Sequence, residues 1–166
     1  MEKIIISISL WGKTKKEPKW DEWYEDVKKL ADSIGINMTH LGIRSTNYSS
    51  SKILTIRRKE KDILECIKKG EKIDSFSVYS LPENYQIASF DYDLYIVRNM
   101  SFISISMKEK YYNSMTEQRF ILSMNKYIDF ETGEVFSTSD KEVPLIYTAT
   151  RDKSNLETFE SIKIIK

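Results

Sequence analysis

An alternating stretch from Ile4 to Leu10 runs into Trp11-Gly12 and then into a strongly amphipathic segment, and this junction constrains the fold more than anything else in the chain. Trp20, Trp23, Tyr24, Val27, Leu30, Ala31 and Ile34 recur at helical spacing. A stripe that wide must be buried, and the alternation of Ile4, Ile6 and Ile8 supplies a sheet to bury it against. Pro18, followed by Asp21, Glu22, Glu25 and Asp26, marks the helix start, because proline is tolerated in a first turn and carboxylates suit the positive end of the dipole. Gly35 is its expected stop.

The remaining periodicities predict more of both elements. Met38 to Ile43 reads as a short strand, Ser45 to Ser51 as a polar loop and Ile53 to Ile56 as another strand. A helix over 59–69 should carry Ile63, Cys66 and Ile67 inward and end at Gly70. Phe76 and Val78 alternate with Ser75 and Ser77, and Ile103, Ile105 and Met107 alternate with Ser104 and Ser106, as expected of half-buried strands. Tyr85 to Phe90 and Asp93 to Val97 read as strands around the turn Asp91-Tyr92. Phe120, Ile121, Met124, Tyr127 and Ile128 share one face of a helix expected over 114–128, which the stretch Asp129 to Gly133 ends. Leu145 to Ala149 and Ile162 to Ile165 are strand-like and suggest a C-terminal hairpin within 140–166. The expectation is a single α+β domain over 1–166, with about three helices on a mostly antiparallel sheet.

Composition narrows the function. With 26 basic and 25 acidic side chains in 166 residues the net charge is +1, so no global field draws this chain to DNA or to an acidic membrane. Any charged partner must be read by a local patch. The single Cys66 excludes a disulfide framework and, beside Ile63 and Ile67, reads as a small buried hydrophobe. The apolar run behind Lys3 is too short for a signal peptide and ends on Trp-Gly, and no window is apolar enough to span a membrane. A cytoplasmic location is expected.

Several groups could carry chemistry. His40 has no second histidine and no paired nucleophile discernible, and is given no role. Asp91 and Asp93 would point the same way in an extended segment and could hold Mg²⁺, but both residues also suit a turn. Lys52, Arg57, Arg58, Lys59 and Lys61 form one dense basic segment within 52–61, which could meet phosphates, although no nucleic-acid motif accompanies it. Two acidic groups remain. Asp21 with Glu25, and Glu22 with Asp26, are like-charge i,i+4 pairs that each cost an isolated helix roughly 0.2–0.5 kcal/mol. Asp129, Glu131 and Glu134 gather around Gly133 in an expected helix-to-strand loop. Either group could meet a basic partner.

Taken in order, the strand ending in Leu10-Trp11-Gly12, the aromatic-rich first helix, the strand from Ser101 to Ser106 and the helix before Asp129 to Ser139 form a pattern. It resembles the bacterial immunity proteins of polymorphic toxin systems, in the branch that accompanies toxins of the restriction-endonuclease fold. The similarity runs over about 4–139. The resemblance implies a protein that works by binding: no enzyme, no catalytic residue, no metal and no cofactor. Its implied partner is a cognate protein toxin, a nuclease, whose active site one of the acidic groups would occlude. Nucleic acid, bound through 52–61, is the alternative partner.

Overall fold

The computed structural model describes residues 3–15, 20–48, 53–82 and 92–166. The Tyr85 to Phe90 strand expected from the sequence, together with Pro18, Lys52 and Asp91, lies outside them. Among the described residues eight strands form one sheet: β1 (Ile4–Thr14), β2 (His40–Ser45), β3 (Ile53–Thr55), β4 (Ile73–Ser80), β5 (Leu94–Asn99), β6 (Phe102–Lys108), β7 (Ile128–Ser139) and β8 (Glu160–Ile165). Their order is β3-β2-β4-β5-β6-β1-β7-β8, and every pairing is antiparallel. Four α-helices among the described residues complete the α+β fold, α1 (Trp20–Ile34), α2 (Ile56–Lys68), α3 (Ser114–Met124) and α4 (Pro144–Thr150), against the three or so that the sequence predicts.

The core lies where the first thirty-five residues place it. Ile6, Ile8 and Leu10 of β1 share a face with Val78, Ile96, Ile103, Ile105 and Val135 of neighbouring strands, all fully or almost fully buried. Trp23, Tyr24, Val27, Leu30 and Ala31 of α1 cover that face. The Trp23 and Tyr24 rings meet Phe76 at 5.5 and 5.4 Å between centroids. Burying three aromatic rings together anchors α1 on β4, because each ring removes about 150–250 Å² of surface from water. α2 contributes Ile63 and Ile67, and α3 contributes Phe120 and Met124. Cys66 is only half-buried, at the margin of this layer.

The opposite face of β1 and β6 is buried as well, which the serines do not suggest. Ser7, Ser9, Ser104 and Ser106 are 0–3% exposed and pair across the strands, Ser7 with Ser106 and Ser9 with Ser104, each at 2.7 Å. A buried hydroxyl is tolerated only when it is paired, and a cross-strand serine ladder meets that condition within the sheet itself. Above the ladder sits α4. Leu145 to Ala149 is therefore helical, and no hairpin joins it to 162–165; β8 pairs instead with β7. Pro144 explains the correction, since proline at a first helical position presets the backbone and loses no hydrogen bond.

Trp11-Gly12 is a joint between these layers. The Trp11 indole N–H donates to the Thr148 carbonyl at 2.7 Å, and the ring meets Tyr147 edge-on and the Arg151 guanidinium at 4.5 Å. Thr148 in turn bonds Ser9 at 2.8 Å, so α4 is pinned to β1 twice. Gly12 lies at a bulge where β1 and β7 approach closely; a Cβ there would sit 2.1 Å from the Asp129 carbonyl oxygen. Only glycine fits.

Boundaries differ from expectation at α2, which begins at Ile56 and takes that residue from the expected strand, and around the third helix. The third helix ends at Met124, and Ile128 already belongs to β7. The segment expected as a loop, Asp129 to Gly133, is thus part of a twelve-residue strand paired along the whole of β1.

Candidate functional site

α1 presents its acidic residues on the side away from the sheet, because the apolar stripe fixes its rotation. Asp21, Glu22, Glu25 and Asp26 line one open depression of about 350 Å³. Lys29, Lys68 and Lys126 share its wall with half-buried Leu64 of α2. The structure thus brings the first acidic group together, and sets cations beside it.

The four carboxylates are not equivalent. Asp26 is engaged internally, accepting a hydrogen bond from the Tyr127 phenol and an ion pair from Lys126 at 2.6 Å. Glu25 is exposed and stands 4.0 Å from Lys28. Asp21 accepts the Glu22 backbone N–H at 3.0 Å, which satisfies one of the unpaired amides of the first turn. Glu22 is exposed, and among the described residues neither it nor Asp21 forms an ion pair. Glu22, Asp21 and Glu25 are consequently the carboxylates available to an incoming group.

The second acidic group is dispersed. Asp129 is exposed and paired with Lys15 at 3.2 Å. Glu131 is exposed at the irregular step of register between β1 and β7, where Trp11 faces Thr132 and Gly12 faces Phe130. Glu134 is only 5% exposed and takes hydrogen bonds from the Tyr147 phenol and the Ser161 hydroxyl, each at 2.5 Å. Its place under α4 gives it a structural task.

Phenol-to-carboxylate bonds recur as fastenings around the helices. Tyr24 donates to Glu60 at 2.6 Å, and Lys28 reaches the same oxygen at 3.2 Å. The Tyr24 bond, with help from Lys28 and against the opposing effect of burial, holds the Glu60 carboxyl below its ordinary value. Burial, reinforced by the hydrogen bond to Glu134, pushes the Tyr147 phenol up to about 12.

The other candidates are separated. His40 sits on β2 with its Nδ1 2.7 Å from the Thr39 hydroxyl, and burial lowers its pKa. Asp93 is held by Lys108 at 3.0 Å. Arg57, Arg58, Lys59 and Lys61 are exposed on α2, where Lys59 lies 3.9 Å from Asp62. Among the described residues, no cluster of three or more histidine, cysteine or carboxylate side chains is placed to hold a metal, and no helix is long and apolar enough to cross a membrane.

One charged residue escapes the sequence reading. Arg98, on the core-facing side of β5, is 1% exposed, and its guanidinium lies between the rings of Trp20 and Tyr127, 4.2 and 5.1 Å from their centroids. It donates to the Lys15 carbonyl at 2.6 Å. Burial lowers its pKa to about 10, which leaves it charged at neutral pH. Strand alternation carries the signal, because Arg98 follows Leu94 and Ile96 at period two.

No family model matches the chain, and no curated protein matches it in sequence. Among solved structures it is similar to the Pseudomonas aeruginosa T6SS protein PA0821, with a TM-score of 0.56 and 13% sequence identity. The match covers 82% of this chain and 43% of that one, so this chain spans less than half the length of the protein it matches. At that identity the likeness is one of fold.

Proposed function

We propose that this is a non-enzymatic immunity protein that binds a cognate bacterial toxin, a nuclease, and occludes its active site. The observation that carries the reading is the exposed face of α1, where Asp21, Glu22 and Glu25 stand beside an open depression on a helix fixed to the core by Trp23 and Tyr24. A nuclease holds its substrate in a cationic groove, and carboxylates on a rigid helix can occupy that groove in place of phosphates. Such charges steer encounter and fix orientation, while apolar contacts such as Leu64 slow dissociation once water is expelled. Lys29, Lys68 and Lys126 add discrimination, because a partner with cations opposite them is repelled. The fold likeness to a T6SS protein is compatible with this role.

The direct trial is co-expression with any toxin domain found encoded beside its gene. Cells carrying both should grow, and the two proteins should elute as one complex. Killing that proceeds unabated, with the proteins eluting apart, would refute the proposal. In the same assay, nucleic acid retained by the protein alone at low salt would favour the α2 cations as the working surface instead.

A further inference from the structure

The acidic face of α1 weakens the helix that carries it. Asp21 with Glu25, and Glu22 with Asp26, set like charges one turn apart within its first two turns. Against the first residue of the same helix lies a second destabilising group, the buried guanidinium of Arg98. Its Nε and Nη1 have no hydrogen-bond partner, and among the described residues no carboxylate lies within ion-pair distance of it. An apolar side chain of similar reach, such as the methionines at 107 and 124 of the same core, would leave no donor unpaired. Stability therefore does not account for an arginine at this position.

The guanidinium lies 4.2 Å from the centroid of Trp20 and 5.1 Å from that of Tyr127, and donates to the Lys15 carbonyl at 2.6 Å. Trp20 opens α1 and immediately precedes Asp21 and Glu22. Tyr127 follows Lys126, and its phenol donates to Asp26, which Lys126 also holds at 2.6 Å. Asp21, Glu22, Asp26 and Lys126 all line the acidic depression. One buried side chain thus touches both segments that carry these lining residues. We infer that Arg98 is a positioning residue of the α1 docking face: by holding Trp20 and Tyr127 it fixes the first two turns of α1, and with them Asp21, Glu22 and Asp26, in the geometry that meets the partner. The inference rests on the reading of that face as the toxin-binding surface. A planar guanidinium can lie against two rings and reach a carbonyl at once, which the ammonium of a lysine cannot. Carboxylates held in place before encounter lose less freedom on binding, so rigidity at this end of α1 raises affinity.

The experiment compares the parent with Arg98→Met and Arg98→Lys by melting temperature, by amide exchange along α1 and by affinity for any nuclease toxin found encoded beside the gene. Arg98→Met should melt within about 3 °C of the parent or above it, because it removes an unpaired buried charge. The amides of Tyr24, Glu25 and Asp26 close the first helical hydrogen bonds, onto the carbonyls of Trp20, Asp21 and Glu22. In Arg98→Met these three should exchange about tenfold faster, while those of Leu30 and Ala31 keep their protection. Toxin affinity should fall about three- to tenfold, and Arg98→Lys, which keeps the charge and loses the plane, should not restore it. A merely structural arginine would lower the melting temperature and quicken all of α1 together; that result, or parent-like exchange at the three amides, overturns the inference. Should Arg98→Met fail to fold, Trp20→Leu, which takes away one of the two rings at a half-buried position, must quicken the same three amides alone, and unchanged exchange overturns the inference equally. A parent that binds no such toxin refutes the docking reading. A parent that binds, beside an Arg98→Met form that binds equally well, refutes the positioning role alone.

Discussion

A single added methyl group at residue 12 would test how tightly the two central strands are joined. The Cβ of Gly12→Ala would meet backbone atoms, the Asp129 carbonyl oxygen at 2.1 Å and the Phe130 Cα at 2.7 Å, which cannot rotate away. The substitution should cost about 3 kcal/mol, the upper range for overpacking, as read from the denaturant midpoint. A loss below about 0.5 kcal/mol would mean that β1 and β7 separate there without penalty. A second residue-scale prediction concerns acid. The hydrogen bond from Tyr24 depresses the folded pKa of Glu60 below the ordinary 4.5. The stability it contributes is therefore complete above that value and is lost as pH falls through the lower folded value. Tyr24→Phe should lower stability by about 1–2 kcal/mol at neutral pH and flatten its decline below about pH 5. Parallel pH profiles for parent and variant would contradict the assignment.

Among the elements, α4 depends on a few specific bonds more than on area. It is seven residues long and is held by the indole of Trp11, the hydroxyl of Ser9 and the ring of Tyr147 against Phe136. Trp11→Phe leaves the Thr148 carbonyl unpaired and should destabilise by about 1–3 kcal/mol. The effect should be local: amide exchange should quicken over 144–150, while the buried amides of α1 keep their protection. Equal acceleration in both helices would show that Trp11 supports the whole core. α4 also marks the limit of sequence reading. Leu145 to Ala149 is too short to distinguish a turn of helix from a strand by periodicity, and β-branched Ile146 and Thr148 favour the wrong reading. β7 was hidden differently. Ile128 and Phe130 face the core before its irregular step at Glu131, whereas Gly133, Val135 and Ser137 do so after it, so the alternation changes phase and no single period spans the strand. By contrast, α1 and the core-facing residues of β1 and β6 were legible because their stripes run unbroken. Arg98 shared the same legible alternation, yet its charge obscured its burial.

At the scale of the molecule, the sheet and its two covered faces form a rigid support that sets the α1 carboxylates at one surface. The sequence identified Asp21, Glu22, Glu25 and Asp26 as a group, and the helix does bring them to one depression. It could not reveal that Asp26 bonds Tyr127, or that Glu134 lies beneath α4, since both facts depend on contacts between residues distant in the chain. Charge reversal should therefore discriminate among them. Glu22→Lys with Glu25→Lys should weaken toxin binding by about tenfold or more, chiefly through slower association at low salt, and leave the melting temperature within about 2 °C of the parent. Glu134→Lys should instead lower the melting temperature, because it buries an unpaired charge. The measurement closest to the proposed function is a titration of the purified protein into the activity assay of any nuclease toxin found encoded beside it. Activity should fall in proportion to added protein and vanish near one equivalent, with the Glu22→Lys, Glu25→Lys form requiring excess. Undiminished nuclease activity at a large molar excess of the folded protein would contradict the account.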